Sequence, residues 1–226
     1  MDERHIRNIP ALSEADMEIL QTSHVLVVGC GGLGGNVIEQ LARLGLGHLT
    51  VVDGDVFEES NLNRQLLCTT ANIGEIKALA AAERVSLIDP DIEVRPVPEF
   101  ITKENAAALM ADADIVIDAL DSISSRLVLE DAAAEAGLYL VHGGISGWDL
   151  QAMIVPPGSG LLHAIYEGLP EDKTKTSLAM TPAACASIEV SLAISCLCGR
   201  ASDLEGKLIT GSLRDMHFDT LNMSFE

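Results

Sequence analysis

The segment spanning residues 25–34 constrains the fold of this 226-residue chain more than any other. Four β-prone apolar residues lead directly into glycines with the spacing G-x-G-x-x-G, and a helix-like pattern follows. Because glycine lacks a Cβ, backbone N–H groups in such a turn can approach a phosphate at the positive end of the following helix. A second apolar strand, 49–53, ends in Asp53, about 20 residues beyond the last motif glycine, where a ribose hydroxyl would bind. Together these features predict a nucleotide-binding strand, turn and helix.

Strand and helix patterns alternate through the next hundred residues. Three further strands are predicted where apolar runs are bounded by polar residues, at 91–97, 115–121 and 138–142. This rhythm predicts an α/β fold with a Rossmann-like, doubly wound and mainly parallel sheet, whose ligands bind outside the carboxyl ends of the strands. After residue 143 the rhythm changes, and segments 150–155, 206–211 and 216–221 are typical of antiparallel strands that extend the sheet.

No linker rich in proline, glycine or serine divides the chain, so we expect one domain over residues 1–226. It would carry an N-terminal arm at 1–12 and a crossover-type loop at about 156–181. A helix is predicted over 74–88, with Lys77 near its start. A cation at that position opposes the helix dipole, so Lys77 is expected to face an anion.

Charge and cysteine content narrow the possible partners and the compartment. The formal net charge of −20 argues against binding to nucleic acid, whose phosphates would be repelled over most of the surface. Five cysteines, an odd number without framework spacing, indicate a reducing compartment. The N-terminus has no signal-peptide pattern and no apolar run reaches the length of a membrane span, so we expect a cytoplasmic protein without membrane contact.

The polar residues after the strands favour phosphate chemistry over hydride transfer. Arg64 and Lys77 can neutralise phosphate oxygens, and Asp121 can hold magnesium against them. No segment after residue 143 is typical of the catalytic domain of a dehydrogenase. We therefore expect a nucleoside triphosphate in this site rather than a nicotinamide dinucleotide.

Five motifs together resemble the MoeB/ThiF/HesA family, whose members are related to the ubiquitin-activating enzymes. The motifs are the glycine turn Gly29-Cys30-Gly31-Gly32-Leu33-Gly34, Asp53-Gly54-Asp55, Asn61-Leu62-Asn63-Arg64-Gln65, Lys77 and Asp118-Ala119-Leu120-Asp121. The resemblance implies an ATP- and Mg²⁺-dependent adenylyltransferase. Such an enzyme activates the C-terminal glycine carboxylate of a small ubiquitin-like sulfur-carrier protein ending in Gly-Gly, as in thiamine or molybdopterin sulfur incorporation, and releases pyrophosphate.

The resemblance also implies a role for each matching residue. It assigns catalytic roles to Arg64, Lys77 and Asp121, with Asp121 holding Mg²⁺, and to Arg7, which would reach across a homodimer to the other subunit's ATP. The resemblance also implies that residues of these motifs bind the nucleotide: Gly29, Gly31, Gly32, Gly34, Asp53, Asp55, Asn61, Arg64, Gln65, Lys77 and Leu120.

Several residues depart from the family pattern or remain open. The paired C-x-x-C spacing of the family's zinc site is missing, so no structural zinc is expected. Cys185 is either a nucleophile at a helix start or an ordinary buried residue. Asp118 either binds substrate or caps the next helix. His142 and His163 are expected to be satisfied locally, and Trp148 to line the groove for the partner's tail.

Two other functions fit the same motifs. One is a dehydratase that activates the threonylcarbamoyl group on tRNA, against which the acidity of the chain counts. The other is a non-catalytic subunit that keeps the fold, against which the presence of Arg64, Lys77 and Asp121 counts.

Overall fold

An eight-stranded mixed sheet forms the centre of the molecule in a computed structural model that describes residues 3–171 and 176–223. Its strands, in chain order, are β1 (His24–Val28), β2 (His48–Val52), β3 (Glu93–Val97), β4 (Ile115–Asp118), β5 (Tyr139–Ser146), β6 (Asp149–Val155), β7 (Lys207–Ser212) and β8 (His217–Asn222). The spatial order is β3-β2-β1-β4-β5-β6-β7-β8. β1 to β5 run parallel to one another, and β6, β7 and β8 continue antiparallel from β5. The predicted fold class is confirmed.

Seven α-helices pack around this sheet in the part of the chain that the structure describes. They are α1 (Glu14–Thr22), α2 (Gly32–Leu44), α3 (Lys77–Ile88), α4 (Lys103–Met110), α5 (Ile123–Ala136), α6 (Leu161–Tyr166) and α7 (Met180–Leu197). Two 3₁₀ turns, Glu3–Asn8 and Glu59–Asn61, complete the helical elements. The helices lie on both sides of the sheet, as a doubly wound topology requires.

The two faces of the sheet form two apolar layers because successive strand residues point to opposite sides. Val25 and Val27 of β1 pack in the layer beneath α2, α3 and α7, whereas Leu26 and Val28 pack in the layer beneath α4, α5 and α6. All four side chains are almost fully buried. The run of apolar residues before the glycine turn is therefore explained by burial on both faces.

Three differences from the predicted elements bear on the site. β4 ends at Asp118, so Asp121 lies in the loop that follows it. α3 begins at Lys77 rather than at residue 74, because Val56 and Ile76 form a β-bridge and the Lys77 N–H donates to the Asp55 carbonyl. The described part of the loop at 156–181 contains the short helix α6, and residues 172–175 of that loop lie outside the described residues.

The N-terminal segment is docked rather than extended as a mobile arm. It forms a 3₁₀ turn in which Arg4 pairs with Asp89 and Asp91, and the buried His5 lies 2.9 Å from Asp89 through its Nε2 atom. Three polar contacts therefore hold residues 3–8 of the predicted arm against the segment that leads into β3. Arg7, on the same turn, is exposed.

Helix α7 contradicts the expectation that no apolar run reaches the length of a membrane span. α7 has 18 residues with a mean hydropathy of 1.5, which is long and apolar enough to cross a membrane. It packs against β5, β6 and α2, and its Cys185, Ala186 and Ala193 are fully buried there. Its composition is accounted for by its place in the core of the fold.

Candidate active site

A cavity of about 590 Å³ opens at the carboxyl ends of the parallel strands, between β1, β2 and β4 and the start of the antiparallel half. Predicted site residues from five separate motifs line it: Gly29, Gly31, Gly32, Asp53, Asp55, Arg64, Gln65, Lys77, Leu120 and Asp121. The topology explains this convergence because the loops after parallel strands all leave the sheet at one edge. The cavity lies where a Rossmann-like sheet binds its ligand.

The glycine turn is required by close backbone approach at two positions. Gly29 has φ +104°, and a Cβ added there would lie 2.5 Å from the Ala119 carbonyl oxygen. A Cβ on Gly34 would lie 1.7 Å from the carbonyl oxygen of Gly29. α2 then starts at Gly32 without a side-chain cap, so its first N–H groups remain available at the cavity wall. An anion, such as a nucleotide phosphate, is the natural partner for these groups.

Asp53 fixes the glycine turn to the second strand. Its Oδ2 accepts a hydrogen bond of 2.7 Å from the Cys30 N–H, and its Oδ1 accepts one of 2.8 Å from the Asp55 N–H. Burial raises the pKa of Asp53, while these two N–H donors act in the opposite direction. The carboxylate is thus held at the cavity wall before any ligand arrives.

Two cations face the cavity from separate elements. Lys77 is the first residue of α3, is 7% exposed, and places Nζ 3.2 Å from Asp55 Oδ2. Arg64 donates from Nη1 to the Ser60 carbonyl at 3.0 Å and to Asn63 Oδ1 at 2.8 Å. Gln65 is buried beside Gly31, and its Oε1 has no hydrogen-bond partner among the residues that the structure describes. These side chains supply positive charge and an open acceptor to the cavity.

Three predicted residues lie outside the lining of this cavity in the described chain. Gly34 packs against the Gly29 backbone within the glycine turn. Asn61 is buried in the turn Glu59–Asn61, where its Oδ1 accepts from the Glu58 N–H at 3.0 Å. It is not among the lining residues of the described chain, so its contact with phosphate stays a prediction. Arg7 does not line the cavity of its own chain either. Its role toward a second subunit also stays a prediction.

A buried polar network lies beneath the Leu120–Asp121 segment. Asp118 Oδ2 is 2.7 Å from His142 Nδ1, and its Oδ1 accepts from the Leu120 N–H at 3.0 Å. Arg126 Nη1 donates to the Tyr166 hydroxyl at 2.9 Å, and its Nη2 donates to the carbonyls of Leu120 and Gly143. The network therefore joins β4, β5, α5 and α6 at the floor of the cavity.

The network is inconsistent with both interpretations of Asp118, namely that it binds substrate and that it caps the next helix. Asp118 is fully buried among protein groups, so it is not placed to meet a substrate, and Ser122 rather than Asp118 caps α5. Burial lowers the pKa of His142, although Asp118 acts against that shift, so the ring is neutral at pH 7. With the proton on Nδ1 facing the carboxylate, Nε2 accepts from the Tyr166 hydroxyl at 3.0 Å.

No sequence motif pointed to four further residues at or beneath the cavity: Arg126, Tyr166, Gln151 and Glu189. Arg126, Tyr166 and Gln151 line the cavity. Glu189 of α7 is fully buried, and neither of its carboxyl oxygens is hydrogen-bonded within the described part of the chain. Burial raises its pKa well above the usual value. The one available signal was Gly143-Gly144, which lies within β5 where strands usually avoid glycine.

The structure also shows the surroundings of Cys185 and Trp148. Cys185 is fully buried, directs its Sγ toward the Gln151 carbonyl at 3.3 Å, and has its pKa raised well above the usual value by burial. These features support the packing interpretation rather than a nucleophile.

Trp148 is 41% exposed and lines a shallow groove with Asn63 and Arg64, next to the main cavity. Among the described residues, no three His, Cys, Asp or Glu side chains are grouped to hold a metal.

The ThiF family matches residues 3–226. The chain belongs to the ThiF family. A SAMP-activating enzyme E1 from Haloferax volcanii is 36% identical over 208 residues, which cover 89% of this chain and 77% of that protein. A sulfur carrier protein adenylyltransferase from Thermus thermophilus is 33% identical over 229 residues, with 96% and 82% covered. The chain is thus an adenylyltransferase of the ThiF type, and the predicted family and enzyme class are confirmed.

Solved structures agree with this placement. The tRNA N6-threonylcarbamoyladenosine dehydratase of E. coli in complex with ATP superimposes with a TM-score of 0.75 at 26% identity, covering 88% of this chain and 96% of that one. E. coli MccB with ATP has a TM-score of 0.80 at 19% identity, covering 99% and 72%, and shows the shared fold. The relatives support ATP as the nucleotide of this ThiF-family cavity.

Proposed function

We propose that this ThiF-family enzyme uses ATP to adenylate the C-terminal glycine carboxylate of a small ubiquitin-like sulfur-carrier protein ending in Gly-Gly. The observation that carries the proposal is the convergence of Arg64, Lys77 and Asp121 on the cavity formed by the glycine turn. The names of the two relatives, a sulfur carrier protein adenylyltransferase and a SAMP-activating enzyme, support a carrier of this type. Thiamine or molybdopterin-type sulfur incorporation is the pathway class that we propose.

The reaction is a displacement at phosphorus. A carboxylate oxygen of the carrier attacks the α-phosphorus of ATP, a new carbon–oxygen–phosphorus linkage forms, and the bond from the α-phosphorus to the bridging oxygen breaks. Pyrophosphate leaves with the electron pair, and no proton transfer is needed. Because an anion approaches a polyanion, Lys77 and Arg64 are required to offset the charge, each contributing roughly 3–4 kcal/mol in a site shielded from water.

Magnesium fits the donor set at one side of the cavity. Asp121 lies there on the loop after β4, and Asp53 and Asp55 add carboxylates across the cavity. Mg²⁺ is bound in nucleotide sites through one or two carboxylates together with substrate phosphates, so it needs no larger protein cluster. We propose Asp121 as the residue that holds Mg²⁺, which would supply further positive charge to the leaving pyrophosphate.

A homodimer completes the proposed site. Arg7 is exposed on the docked 3₁₀ turn and so can contact another subunit. We propose that Arg7 of the partner subunit approaches the ATP phosphates. We also propose that the enzyme is cytoplasmic. The acidic lining of the cavity, which includes Asp53, Asp55, Glu99 and Asp121, supports the need for an added cation.

Pyrophosphate exchange tests the proposal. The protein, ATP, Mg²⁺ and a Gly-Gly-ending carrier, with the carriers of the two relatives as probes, should incorporate labelled pyrophosphate into ATP. Lys77→Ala should abolish exchange, whereas Lys103→Ala, a lysine on α4 outside the cavity lining, should leave it unchanged. Mg²⁺-dependent ATP binding by calorimetry separates this function from a non-catalytic subunit. Exchange that is equally strong in the Lys77→Ala protein would contradict the proposal.

The tRNA dehydratase of E. coli supports one alternative, because this chain covers 96% of that enzyme at 26% identity. A tRNA substrate would have to approach a chain with a formal net charge of −20. Electrostatic repulsion of the phosphate backbone disfavours that approach. A tRNA gel-shift at low salt decides between the two: a stable shift favours the dehydratase, and no shift favours the sulfur-carrier substrate.

A further inference from the structure

Strand β5 extends beyond the end of its parallel neighbour β4. The β4–β5 ladder stops at the pair Asp118–His142, whereas β5 continues to Ser146 and stays paired with β6 on its other side. Within residues 3–171 and 176–223, no strand runs along the β4 side of this extension. Gly144, Ile145 and Ser146 of the extension line the same cavity as the nucleotide motifs. The cavity is therefore bordered by a short edge of the sheet.

The β5–β6 hairpin determines which backbone groups face this edge. Ser146 and Asp149 close the hairpin around a two-residue turn, so the N–H and C=O groups of Ser146 point toward β6. Backbone groups alternate in direction along a strand, so those of Ile145 point away from β6 and toward the cavity. An exposed strand edge of this kind is a template for pairing with another extended chain.

The positions on either side of Ile145 along this edge are already occupied. The Gly143 carbonyl accepts from Arg126 Nη2 at 3.1 Å, and the Gly147 N–H donates to the Thr176 carbonyl at 2.9 Å. An isolated parallel β-bridge at Gly147 shows that the edge accepts an extended segment. Among the described residues, no hydrogen bond from outside the ladder with β6 reaches the Ile145 backbone. Ile145 thus presents one donor and one acceptor in a gap between two occupied positions.

We propose that the C-terminal tail of the acyl partner binds in this gap as an added β-strand and exchanges two backbone hydrogen bonds with Ile145. The identity of the partner rests on the proposed function. A folded carrier is far larger than a cavity of about 590 Å³, so its body stays outside and only its tail enters. Because β5 runs outward to its hairpin, a tail that enters from outside runs antiparallel to β5.

This direction sets which tail residue pairs with Ile145. Beyond that residue, the tail has room for one residue beside Gly144 and one beside Gly143, where the end of β4 blocks further extension. The terminal carboxylate then lies next to the Leu120–Asp121 segment, at the nucleotide end of the cavity. The tail residue that pairs with Ile145 is therefore the third from the C-terminus.

The surroundings of Gly144 favour glycine as the penultimate tail residue. A Cβ built on Gly144 would lie 3.1 Å from Gln151 Cγ and 3.3 Å from the Tyr166 hydroxyl. Directly opposed residues of paired strands direct their side chains to the same face of a sheet. A side chain on the penultimate tail residue would therefore point toward the face that Gln151, Tyr166 and Arg126 already fill. Glycine adds no atoms to that face.

Hydrogen exchange of the Ile145 amide, followed by nuclear magnetic resonance, tests the proposal on the whole protein. The probe is the acetylated peptide Ala-Ala-Ala-Gly-Gly, without ATP. At a peptide concentration about nine times its Kd, exchange of the Ile145 amide should slow about tenfold, because the N–H is free only in the unbound protein. The same peptide with alanine as its penultimate residue should bind at least about tenfold more weakly.

Two N-methylated versions of this peptide form a matched pair. Methylation of the third N–H from the C-terminus removes the donor to the Ile145 carbonyl and should raise the Kd about tenfold, the effect of one lost hydrogen bond. Methylation of the penultimate N–H, which faces away from β5, should leave the Kd nearly unchanged. Equal effects of the two methyl groups, or the reverse order, would overturn the proposal.

Variants of Ile145 test the same contact from the protein side. Ile145→Pro removes an N–H that lies outside the strand ladder, at an edge position where proline is tolerated, and should raise the peptide Kd about tenfold. Ile145→Val keeps the N–H and should match the wild type, and urea midpoints report whether both variants fold. Absence of peptide binding, or bound peptide that leaves Ile145 exchange unchanged, would overturn the proposal. The peptide assay contains neither ATP nor a carrier, so its outcome is independent of the pyrophosphate exchange that tests the proposed function.

Discussion

A Cβ atom built on Gly143 would lie 2.3 Å from the carboxyl carbon of Glu189. The missing side chain of one residue therefore provides the space that the other fills, between β5 and α7. Over residues 3–171 and 176–223, Glu189 has no hydrogen-bond partner, and the charged groups that act on it are Arg126 from α5 and Asp118 from β4. The core thus contains an acid whose pKa burial raises well above its usual value, beside an Arg126–Asp118 pair.

Replacing Glu189 with glutamine is expected to stabilise the protein at neutral pH. The folded pKa of Glu189 is raised, so above about 4.5 the unfolded chain releases a proton that the folded chain retains. Stability then falls as pH rises, by up to about 1.4 kcal/mol per pH unit from this residue. Glutamine has no proton to lose, so the stability of Glu189→Gln relative to the wild type should grow between pH 5 and pH 7.

Urea unfolding at the two pH values measures this difference. Glu83→Gln, an exposed glutamate on α3, is the matched control and should give the same small difference at both. A gap between Glu189→Gln and the wild type that does not change with pH would show that Glu189 is ionised in the folded protein.

Adding a methyl group at Gly143 is expected to destabilise the protein by about 1–3 kcal/mol, because it overfills a packed core. The cost should be mostly lost in a Glu189→Ala background, where the obstructing carboxyl group is gone. Urea midpoints of the four proteins in this double-mutant cycle give the coupling between the two residues. If Gly143→Ala costs the same in both backgrounds, the destabilisation arises from the strand itself and not from contact with Glu189.

The Gly143–Glu189 pair also shows which features of the structure could not be predicted from the sequence. Glycine spacing and the carboxylate of Asp53 predicted the nucleotide end of the cavity because local turn geometry dictates both. Glu189 is on a helix whose pattern indicates only burial, and its fit against Gly143 depends on how α7 lies on β5. Tertiary packing, which no local pattern encodes, decides that relationship.

Asp118 is a second residue whose surroundings could not be predicted from the sequence. A carboxylate at the end of a strand in a Rossmann-like sheet is expected to face the ligand or the next helix. Here the strand ends at that residue, and His142 of the neighbouring strand draws the side chain into the core. The pairing of Asp118 with His142 is set by strand register, which the sequence does not display. α6 was missed because six residues are too short for a helical period to be recognised.

The proposed action of Arg7 across a homodimer predicts complementation between two inactive proteins. Arg7→Ala and Lys77→Ala are each expected to be inactive in pyrophosphate exchange. In a mixed dimer, the site on the Arg7→Ala subunit keeps its own Lys77 and receives an intact Arg7, so mixing equal amounts should restore about a quarter of the sites.

A mixture of Arg64→Ala and Lys77→Ala is the control, because both of those residues line the cavity of their own chain. That mixture should stay inactive. Failure of the Arg7→Ala mixture to recover activity, under conditions where subunits exchange, would place Arg7 outside the active site.

Asp121→Asn is expected to weaken the dependence of the reaction on Mg²⁺. The amide keeps the size of the side chain but removes the charge that attracts a hard cation, so exchange at saturating Mg²⁺ should fall by about 10²–10³-fold. Titration of the exchange rate with Mg²⁺ measures both the maximum and the midpoint. Asp131→Asn, on the outer face of α5, is the control and should match the wild type. An unaltered Mg²⁺ titration in Asp121→Asn would assign the metal to other ligands.

The change from parallel to antiparallel pairing at β5 divides the cavity into two halves that are under different structural constraints. The nucleotide half, on β1, β2 and β4, is fixed by backbone approaches that tolerate no side chain at Gly29 or Gly34. The other half is bordered by β5 and β6, whose hairpin carries Trp148 and Asp149. Under the proposed function, divergence in that hairpin would change the acyl partner while the affinity for ATP is preserved.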